Sequence, residues 1–83
     1  MQLKVISPEK TLLDLAVDLV ELPASAGRFQ VLEGHAPTVT SLTAGTLWYV
    51  PAGERPDRLQ RPGVAVSGGF AEVRKNVITV CVE

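Results

Sequence analysis

The sequence predicts an all-β fold, a sandwich or barrel of short strands. Turn-forming residues recur at roughly the 8–12-residue spacing that is typical of such folds. The apolar positions are filled mainly by Val, Leu, Ile and Ala, with only two Phe, one Tyr and one Trp, and this aliphatic, β-branched composition favours strands. Turns are predicted at residues 7–8, 23–27, 34–37, 44–45, 51–53, 62–63, 67–69 and 75–76.

The length of the chain indicates one domain, which we assign to residues 1–83. A chain of this size buries only about 60% of its unfolded surface, so the hydrophobic core is expected to be thin. No long polar stretch, internal repeat or low-complexity segment divides the sequence. We therefore expect no separate catalytic domain.

Alternation of apolar and polar residues predicts the first long strand in the segment LLDLAVDL, residues 12–19. Its two faces carry Leu13, Leu15, Val17 and Leu19 on one side and Asp14, Ala16 and Asp18 on the other. A helix fits the same segment, because Ser7 can cap its N-terminus and Pro8 suits its first turn. In a helix Asp14 and Asp18 would repel each other one turn apart. Local signals therefore support strand and helix equally.

Charge and hydropathy argue against several classes of partner. Eight Lys and Arg against nine Asp and Glu give a net charge of −1, so we expect no electrostatic attraction to nucleic acid or to an anionic membrane. No window approaches the ~18 apolar residues of a membrane span, and the N-terminus lacks the apolar stretch of a signal peptide. The sequence predicts a soluble, cytoplasmic protein. Cys81, in the apolar run VITVCVE, is expected to be a small buried side chain.

Catalytic and metal-binding patterns are weak. His35 is the sole histidine and thus the one conventional base for a nucleophile at neutral pH. Ser67 in AVSGGF has Ala65 where a nucleophile elbow has Gly, and no Lys-Ser or Lys-Thr follows the two glycines to complete a phosphate loop. One His and one Cys do not supply the four ligands of a structural metal site. We expect neither catalytic nor metal-binding residues.

The segment ERPDRLQRPG carries a small basic cluster, Arg55, Arg58 and Arg61. Glu54 and Asp57 dilute its charge, and no aromatic residue is interleaved for base stacking. A solvated hairpin is the better interpretation, and binding to another protein remains as the expected function.

Two residues are candidates for a protein interface. Gly34 and Pro37 define a tight loop that would present His35 on a rigid support, although a purely structural histidine is equally compatible with this pattern. Trp48 lies on a predicted strand, where it either enters the core or anchors a partner. We favour the core.

Several motifs occur in a fixed order along nearly the whole chain. They are VISPEK, VELPASAGRFQ, GHAP, a hydroxyl-rich strand ending in AGTL, SGGFAEV and VITV. In this order and spacing they resemble the N-terminal domain of the epsilon subunit of bacterial F-type ATP synthases. The combination of GHAP with SGGF is specific to that family.

The resemblance implies a sandwich of two antiparallel sheets of about five strands each, so the segment after Pro8 should be a strand. It also implies a non-catalytic subunit of the central stalk, which links the gamma subunit to the membrane c-ring and couples ion flow to ATP synthesis. The expected location is the cytoplasmic face of the bacterial inner membrane, without direct lipid insertion. The isolated chain is expected to be a monomer without cofactor. The alternative is a small β-barrel enzyme or ligand-binding domain, which would contain an enclosed pocket of roughly 300 Å³ or more.

Site residues follow from the same resemblance. The c-ring interface is expected at Arg28, Phe29, Gln30 and Glu33. The gamma interface is expected at Ser7, His35 and Thr40. The position of Arg28 is often acidic in the family and that of Glu33 is often proline, so we expect Glu33 to supply the negative charge at the ring contact.

The family's C-terminal helical hairpin, which carries regulatory inhibition and in some members ATP binding, would follow Val82 and Glu83. We therefore expect this chain by itself to bind no ATP.

Overall fold

The computed structural model describes residues 1–55 and 61–83 and shows eight β-strands and no helix in those ranges. The segment after Pro8 is a strand, as the family resemblance implied, and the helical alternative is wrong. All of the predicted turn regions fall between or at the ends of strands. The strands are β1 (Gln2–Ile6), β2 (Thr11–Ala24), β3 (Gly27–Leu32), β4 (Thr38–Leu42), β5 (Gly45–Pro51), β6 (Gly63–Val66), β7 (Gly69–Arg74) and β8 (Val77–Val82).

Strand β2 belongs to both layers of the fold. Its first half pairs with β1, and β1 continues through β8 and β7 to β4. Its second half pairs with β3 on one side and with β5 on the other, and β5 pairs with β6. We call these layers the first and the second sheet. Because β2 runs through both, the eight strands form one hydrogen-bonded network.

The inward-facing positions of β2 change parity where the strand passes between the sheets. Val17 is fully buried, but the next buried residue is Val20, three positions later. The pairing with β5 shifts register between Val17 and Leu19, so one additional residue is inserted here as in a β-bulge. Leu19, which the alternation assigned to the core face, is therefore only half-buried.

The inner faces of both sheets meet in one hydrophobic cluster. Seven of the eight strands contribute buried residues to it: Leu3, Val5, Val17, Val20, Leu22, Val31, Leu42, Leu47, Ala71, Val73, Ile78 and Val80. Full burial of a Val or Leu side chain contributes about 1.5–3 kcal/mol. The core is thus aliphatic, as the composition predicted.

One strand pairing departs from the antiparallel arrangement. Strands β1 and β8 run parallel, with Gln2 opposite Val77 and Ile6 opposite Cys81. The remaining pairings in the described part are antiparallel. No short turn connects β1 to β8, so their relative direction is not restricted by a hairpin.

Glycine is required where β7 begins. Gly69 has φ +122°, and a Cβ there would collide with the backbone carbonyl of Cys81 on the neighbouring strand. Gly27 has nearly the same backbone conformation, φ +123°, but faces open space. The two positions therefore separate the conformational cost of an added methyl group from its steric cost.

We expect Gly69→Ala to destabilise the protein by at least about 2 kcal/mol more than Gly27→Ala, because both variants strain the backbone but only the first displaces β8. Urea unfolding followed by circular dichroism measures the difference. Equal losses of stability in the two variants would contradict the steric argument.

Candidate protein-interaction site

The His35 loop, residues 33–37, is held in one conformation by local hydrogen bonds. The backbone N–H of His35 donates to the carbonyl of Leu32 at 3.1 Å, and Gly34 has φ +81°. Nδ1 of His35 lies 2.8 Å from the carbonyl oxygen of Ala36. Since a carbonyl only accepts, this contact requires the proton on Nδ1 and leaves Nε2 as an acceptor in the neutral ring. The loop therefore presents a half-buried, oriented imidazole.

Phe29 supports the imidazole from β3. The two ring centroids are 6.2 Å apart with an interplanar angle of 31°, and Phe29 also packs against the hydrophobic core. The structure therefore joins two residues that we assigned to different partners, Phe29 to the c-ring and His35 to gamma.

A contact from a distant turn also reaches this loop. The side-chain oxygen of Asn76 accepts the backbone N–H of Gly34 at 3.1 Å, across 42 positions of sequence. Our sequence analysis identified residues 75–76 only as a turn and missed this contact. No local pattern signals it, because it depends on how β3, β4, β7 and β8 are arranged in three dimensions.

Beside this histidine the loop exposes one acidic and one apolar side chain. Glu33 is solvent-exposed, and Leu32 immediately before it is 51% exposed. Leu32 is the last residue of β3, so this apolar side chain lies at the border of the loop.

Arg28 is engaged within the sandwich. Its Nε donates to a carboxylate oxygen of Glu21 at 2.7 Å, and one terminal nitrogen donates to the carbonyl of Thr46 at 2.7 Å. Gln30, two residues later on β3, is exposed on the same outer face of the second sheet. Arg28 is therefore fixed on the sheet surface by Glu21 and Thr46, while its side chain stays 43% exposed.

A second arginine completes this cluster. Arg61 contacts the other oxygen of Glu21 at 3.2 Å, and its guanidinium carbon lies 5.9 Å from the centre of the Trp48 ring. The Nε of Arg61 is buried and has no hydrogen-bond partner among the described residues. Of the predicted basic hairpin, Arg58 and Asp57 lie outside the described residues.

Trp48 lies outside the core, so our placement of this residue is wrong. It is half-buried on the outer face of the second sheet, between Glu21 on β2 and Gly63 on β6. A Cβ at Gly63 would lie 2.7 Å from the indole, so the ring covers that glycine. The side chain fills a shallow site between strands and Arg61 instead of entering the interior.

The carboxylate of Glu21 is the centre of the cluster. The hydrogen bond from Arg28 holds the pKa of Glu21 below its ordinary value of 4.5. Partial burial opposes this effect, and Arg61 lowers the pKa further. Glu21 thus stays charged over the neutral pH range and pairs with both guanidinium groups, so the three side chains together keep one net positive charge.

Ser7 and Thr40 lie on other parts of the surface. Ser7 follows β1 and is bound within its own turn, where its hydroxyl oxygen lies 3.2 Å from the N–H of Lys10. Thr40 is half-buried on β4. Ser7 and Asn76, which contacts the His35 loop, flank opposite ends of β8, about 16 Å apart at ~3.3 Å per residue. The predicted gamma residues therefore do not form one contiguous patch.

An apolar flank covers part of the outer face of the first sheet. Val39 is 69% exposed and Phe70 is 50% exposed. Phe70 lies opposite Cys81 on β8, and Cys81 lies opposite Ile6 on β1, so these side chains form a row across three strands. We refer to Val39, Phe70, Cys81 and Ile6 as the apolar flank.

The outer face of the first sheet bears on two expectations, the burial of Cys81 and the enclosed pocket of a ligand-binding barrel. Cys81 is half-buried and directed outwards, so our assignment of it to the interior is wrong. Beside it runs a groove of about 440 Å³. This groove is open to solvent, unlike the enclosed pocket expected of a ligand-binding barrel. It is lined by Ile6, Ser7, Pro8, Gly69, Phe70, Cys81, Val82 and Glu83.

Two features are absent from residues 1–55 and 61–83, a metal-ligating cluster and a helix that could span a membrane. Those ranges contain no group of three His, Cys, Asp or Glu side chains that could hold a metal ion. They also contain no helix with the length and apolar character needed to cross a membrane.

An ordered surface loop such as the His35 loop, and exposed apolar side chains such as those of the apolar flank, are typical of surfaces that bind other proteins. The chain belongs to the family described as ATP synthase, Delta/Epsilon chain, whose β-sandwich domain model matches residues 1–83.

Relatives of known name agree with this membership. The chain is 44% identical over 78 residues to the ATP synthase epsilon chain of Granulibacter bethesdensis, covering 94% of this chain and 54% of the relative. It is 42% identical over 83 residues to that of Magnetococcus marinus, covering 100% and 56%. The chain thus spans about half the length of these relatives.

Solved structures show the same fold. A chain of the Euglena gracilis mitochondrial ATP synthase, from a structure of OSCP, F1 and c-ring, superposes with a TM-score of 0.79 at 25% identity, covering 96% of this chain and 48% of that one. A chain from the central stalk and c-ring structure of the Tetrahymena thermophila enzyme gives 0.78 at 15% identity, covering 99% and 62%.

We expect Glu21→Gln to lower the free energy of unfolding at pH 7 by about 1 kcal/mol, as for other partly exposed ion pairs. The pKa of Glu21 is depressed in the folded state, so its contribution is present above the ordinary pKa and is lost as pH falls through the folded pKa. The difference between variant and wild type should therefore shrink from pH 7 to pH 3. Urea unfolding at each pH measures it.

Glu9→Gln, which removes an exposed carboxylate from the turn after β1, is the control. If Glu21→Gln followed the wild-type pH profile at a constant offset, the charge of Glu21 would not be the stabilising feature.

Proposed function

We propose that this chain is a non-catalytic part of the central stalk of a rotary F-type ATP synthase, where it links the gamma subunit to the c-ring. In this position it couples ion flow through the ring to ATP synthesis at sites on other subunits. The location that follows is the cytoplasmic face of the bacterial inner membrane. The family match over residues 1–83 is the observation that carries the proposal.

The apolar flank is the surface that we assign to gamma. Val39 and Phe70 lie on adjacent strands, and their exposure leaves apolar area that a partner would remove from water. Thr40 is next to Val39 on β4, and Ser7 lines the open groove beside Phe70. Ser7 therefore borders the flank, whereas Thr40 lies opposite the buried Ala71 and faces the other side of the first sheet.

The c-ring contact is assigned to the end of the sandwich that carries the His35 loop. Phe29, Leu32 and Glu33 lie at or beside this loop. We assigned His35, within the loop, to gamma. Gln30 is exposed on β3 and extends the same surface. The hydrogen bonds within the loop lower the entropy lost on binding, because the contact residues are already ordered.

The charges in this region favour Glu33 as the residue that attracts the ring. Arg28 is held on the sheet by Glu21 and by the carbonyl of Thr46. Because Glu21 also pairs with Arg61, this cluster has no negative charge left to attract a basic partner loop. Glu33 is exposed in the loop that follows β3. The ring contact therefore depends on Glu33, with Arg28 in a structural role.

Affinity capture tests the function directly. The chain, carrying a C-terminal tag, is incubated with detergent-solubilised membranes of its source cell, and bound proteins are identified by mass spectrometry. We expect gamma and the c-ring subunit to be enriched. Val39→Asp with Phe70→Asp should abolish capture of gamma, because two buried charges would be unpaired. Recovery of neither subunit by the unmodified chain would refute the proposal.

Glu33→Gln should weaken binding to an ATP synthase complex that lacks this subunit, mainly through a slower association rate. The loss should be largest at low ionic strength and should disappear at high salt, since exposed charges are then screened. Surface plasmon resonance at several salt concentrations measures both effects.

Glu54→Gln provides a matched control, since Glu54 is also exposed but lies in the turn after β5. If both variants lost the same fraction of the association rate, the net charge of the protein would set that rate, and the position of Glu33 would not matter.

A further inference from the structure

We propose that Asn76 is a positioning residue for the His35 loop: its side-chain amide oxygen fixes the backbone at Gly34 and thereby sets the geometry in which Glu33 and His35 are presented. The effect on partner binding rests on the function proposed above. The effect on the loop itself does not, so the two can be tested separately.

Asn76 joins three segments that are distant in sequence. Its side-chain oxygen accepts the N–H of Gly34 at 3.1 Å, and its backbone carbonyl accepts the N–H of Gln2 at 2.9 Å. It lies in the turn between β7 and β8. Two hydrogen bonds of this one residue therefore link the His35 loop and the start of β1 to the turn between β7 and β8.

The other hydrogen bonds of the loop are local. The N–H of His35 donates to Leu32, and the Thr38 hydroxyl donates to Ala36 at 2.9 Å. These bonds join the loop to the two strand residues that flank it directly, Leu32 at the end of β3 and Thr38 at the start of β4. In the described part of the chain, the bond to Asn76 is the one long-range hydrogen bond that residues 33–37 receive.

Asparagine suits this position for two independent reasons. The backbone of Asn76 has φ +61°, in the left-handed region that Asn and Gly tolerate better than other residues. Its short side chain also carries an acceptor close to the backbone. Glycine would satisfy the first requirement but not the second, whereas aspartate retains the acceptor. Lys75, the neighbouring turn residue, has φ +50° and makes no side-chain hydrogen bond to the loop.

These properties define the variants for a test. Asn76→Gly removes the acceptor while the backbone conformation stays accessible. Asn76→Asp preserves an acceptor for the Gly34 N–H, and Lys75→Gly changes the flexibility of the same turn without touching the contact. Amide hydrogen exchange of Gly34 and His35, followed by NMR on the whole chain, reports on the loop.

We expect exchange of the Gly34 amide to accelerate about tenfold in Asn76→Gly, the effect of losing one hydrogen bond. Asn76→Asp should restore the wild-type rate, and Lys75→Gly should leave it unchanged. Amides of β2 should exchange as in the wild type in all three variants. Unchanged exchange at Gly34 in Asn76→Gly, or equal acceleration in Lys75→Gly, would overturn the proposal.

The binding arm uses an ATP synthase complex that lacks this subunit. Asn76→Gly should bind several-fold more weakly than the wild type, and Asn76→Asp should recover the loss. If the wild type binds and Asn76→Gly binds equally well despite a mobile loop, the role in presenting Glu33 and His35 is refuted. If the wild type fails to bind, the proposed function fails, while the exchange data still decide whether Asn76 positions the loop.

Discussion

The continuity of β2 through both sheets is the constraint on which the rest of the structure depends. Its 14 residues pair with four other strands. The two layers are therefore joined both by the continuous chain of β2 and by its hydrogen bonds. At the bend the carboxylate of Asp18 accepts the N–H of Gly53, and the carbonyl of Ala16 accepts that of Ala52. These bonds attach the end of β5 to the corner. The inserted residue there lets Val17 and Val20 both reach one core.

The outer faces of the two sheets carry different kinds of side chain. On the second sheet Glu21 pairs with Arg28 and Arg61, and Arg61 lies over the Trp48 ring. These polar and aromatic side chains therefore contact one another. On the first sheet Val39 and Phe70 remain exposed. The first sheet thus exposes two large apolar side chains on adjacent strands, whereas on the second sheet Leu32 is exposed at the end of β3.

Composition and turn chemistry were enough to predict the all-β class and the positions of the turns, because these depend on neighbouring residues. The parity change at Asp18 was not predictable, since it arises from the corner between sheets. Trp48 was misplaced for a related reason: alternation shows that a residue faces away from its neighbours but not which face is covered. The contacts of Arg28 with Glu21, and of Asn76 with Gly34, require a knowledge of strand register and of the fold as a whole. The site residues taken from the family motifs stay predictions, and the motifs did not indicate these internal partners.

The parallel pairing of β1 with β8 has a mechanical consequence. Because these adjacent strands run in the same direction, Gln2 and Val82 lie at opposite ends of the pair. Tension applied between these two residues would act along the strands and load their hydrogen bonds in shear, together instead of one after another. An antiparallel hairpin pulled from its open end would unzip bond by bond. A sandwich joined in this way resists extension along β1 and β8, which would suit the stalk role proposed above, in which the domain carries a load between two partners.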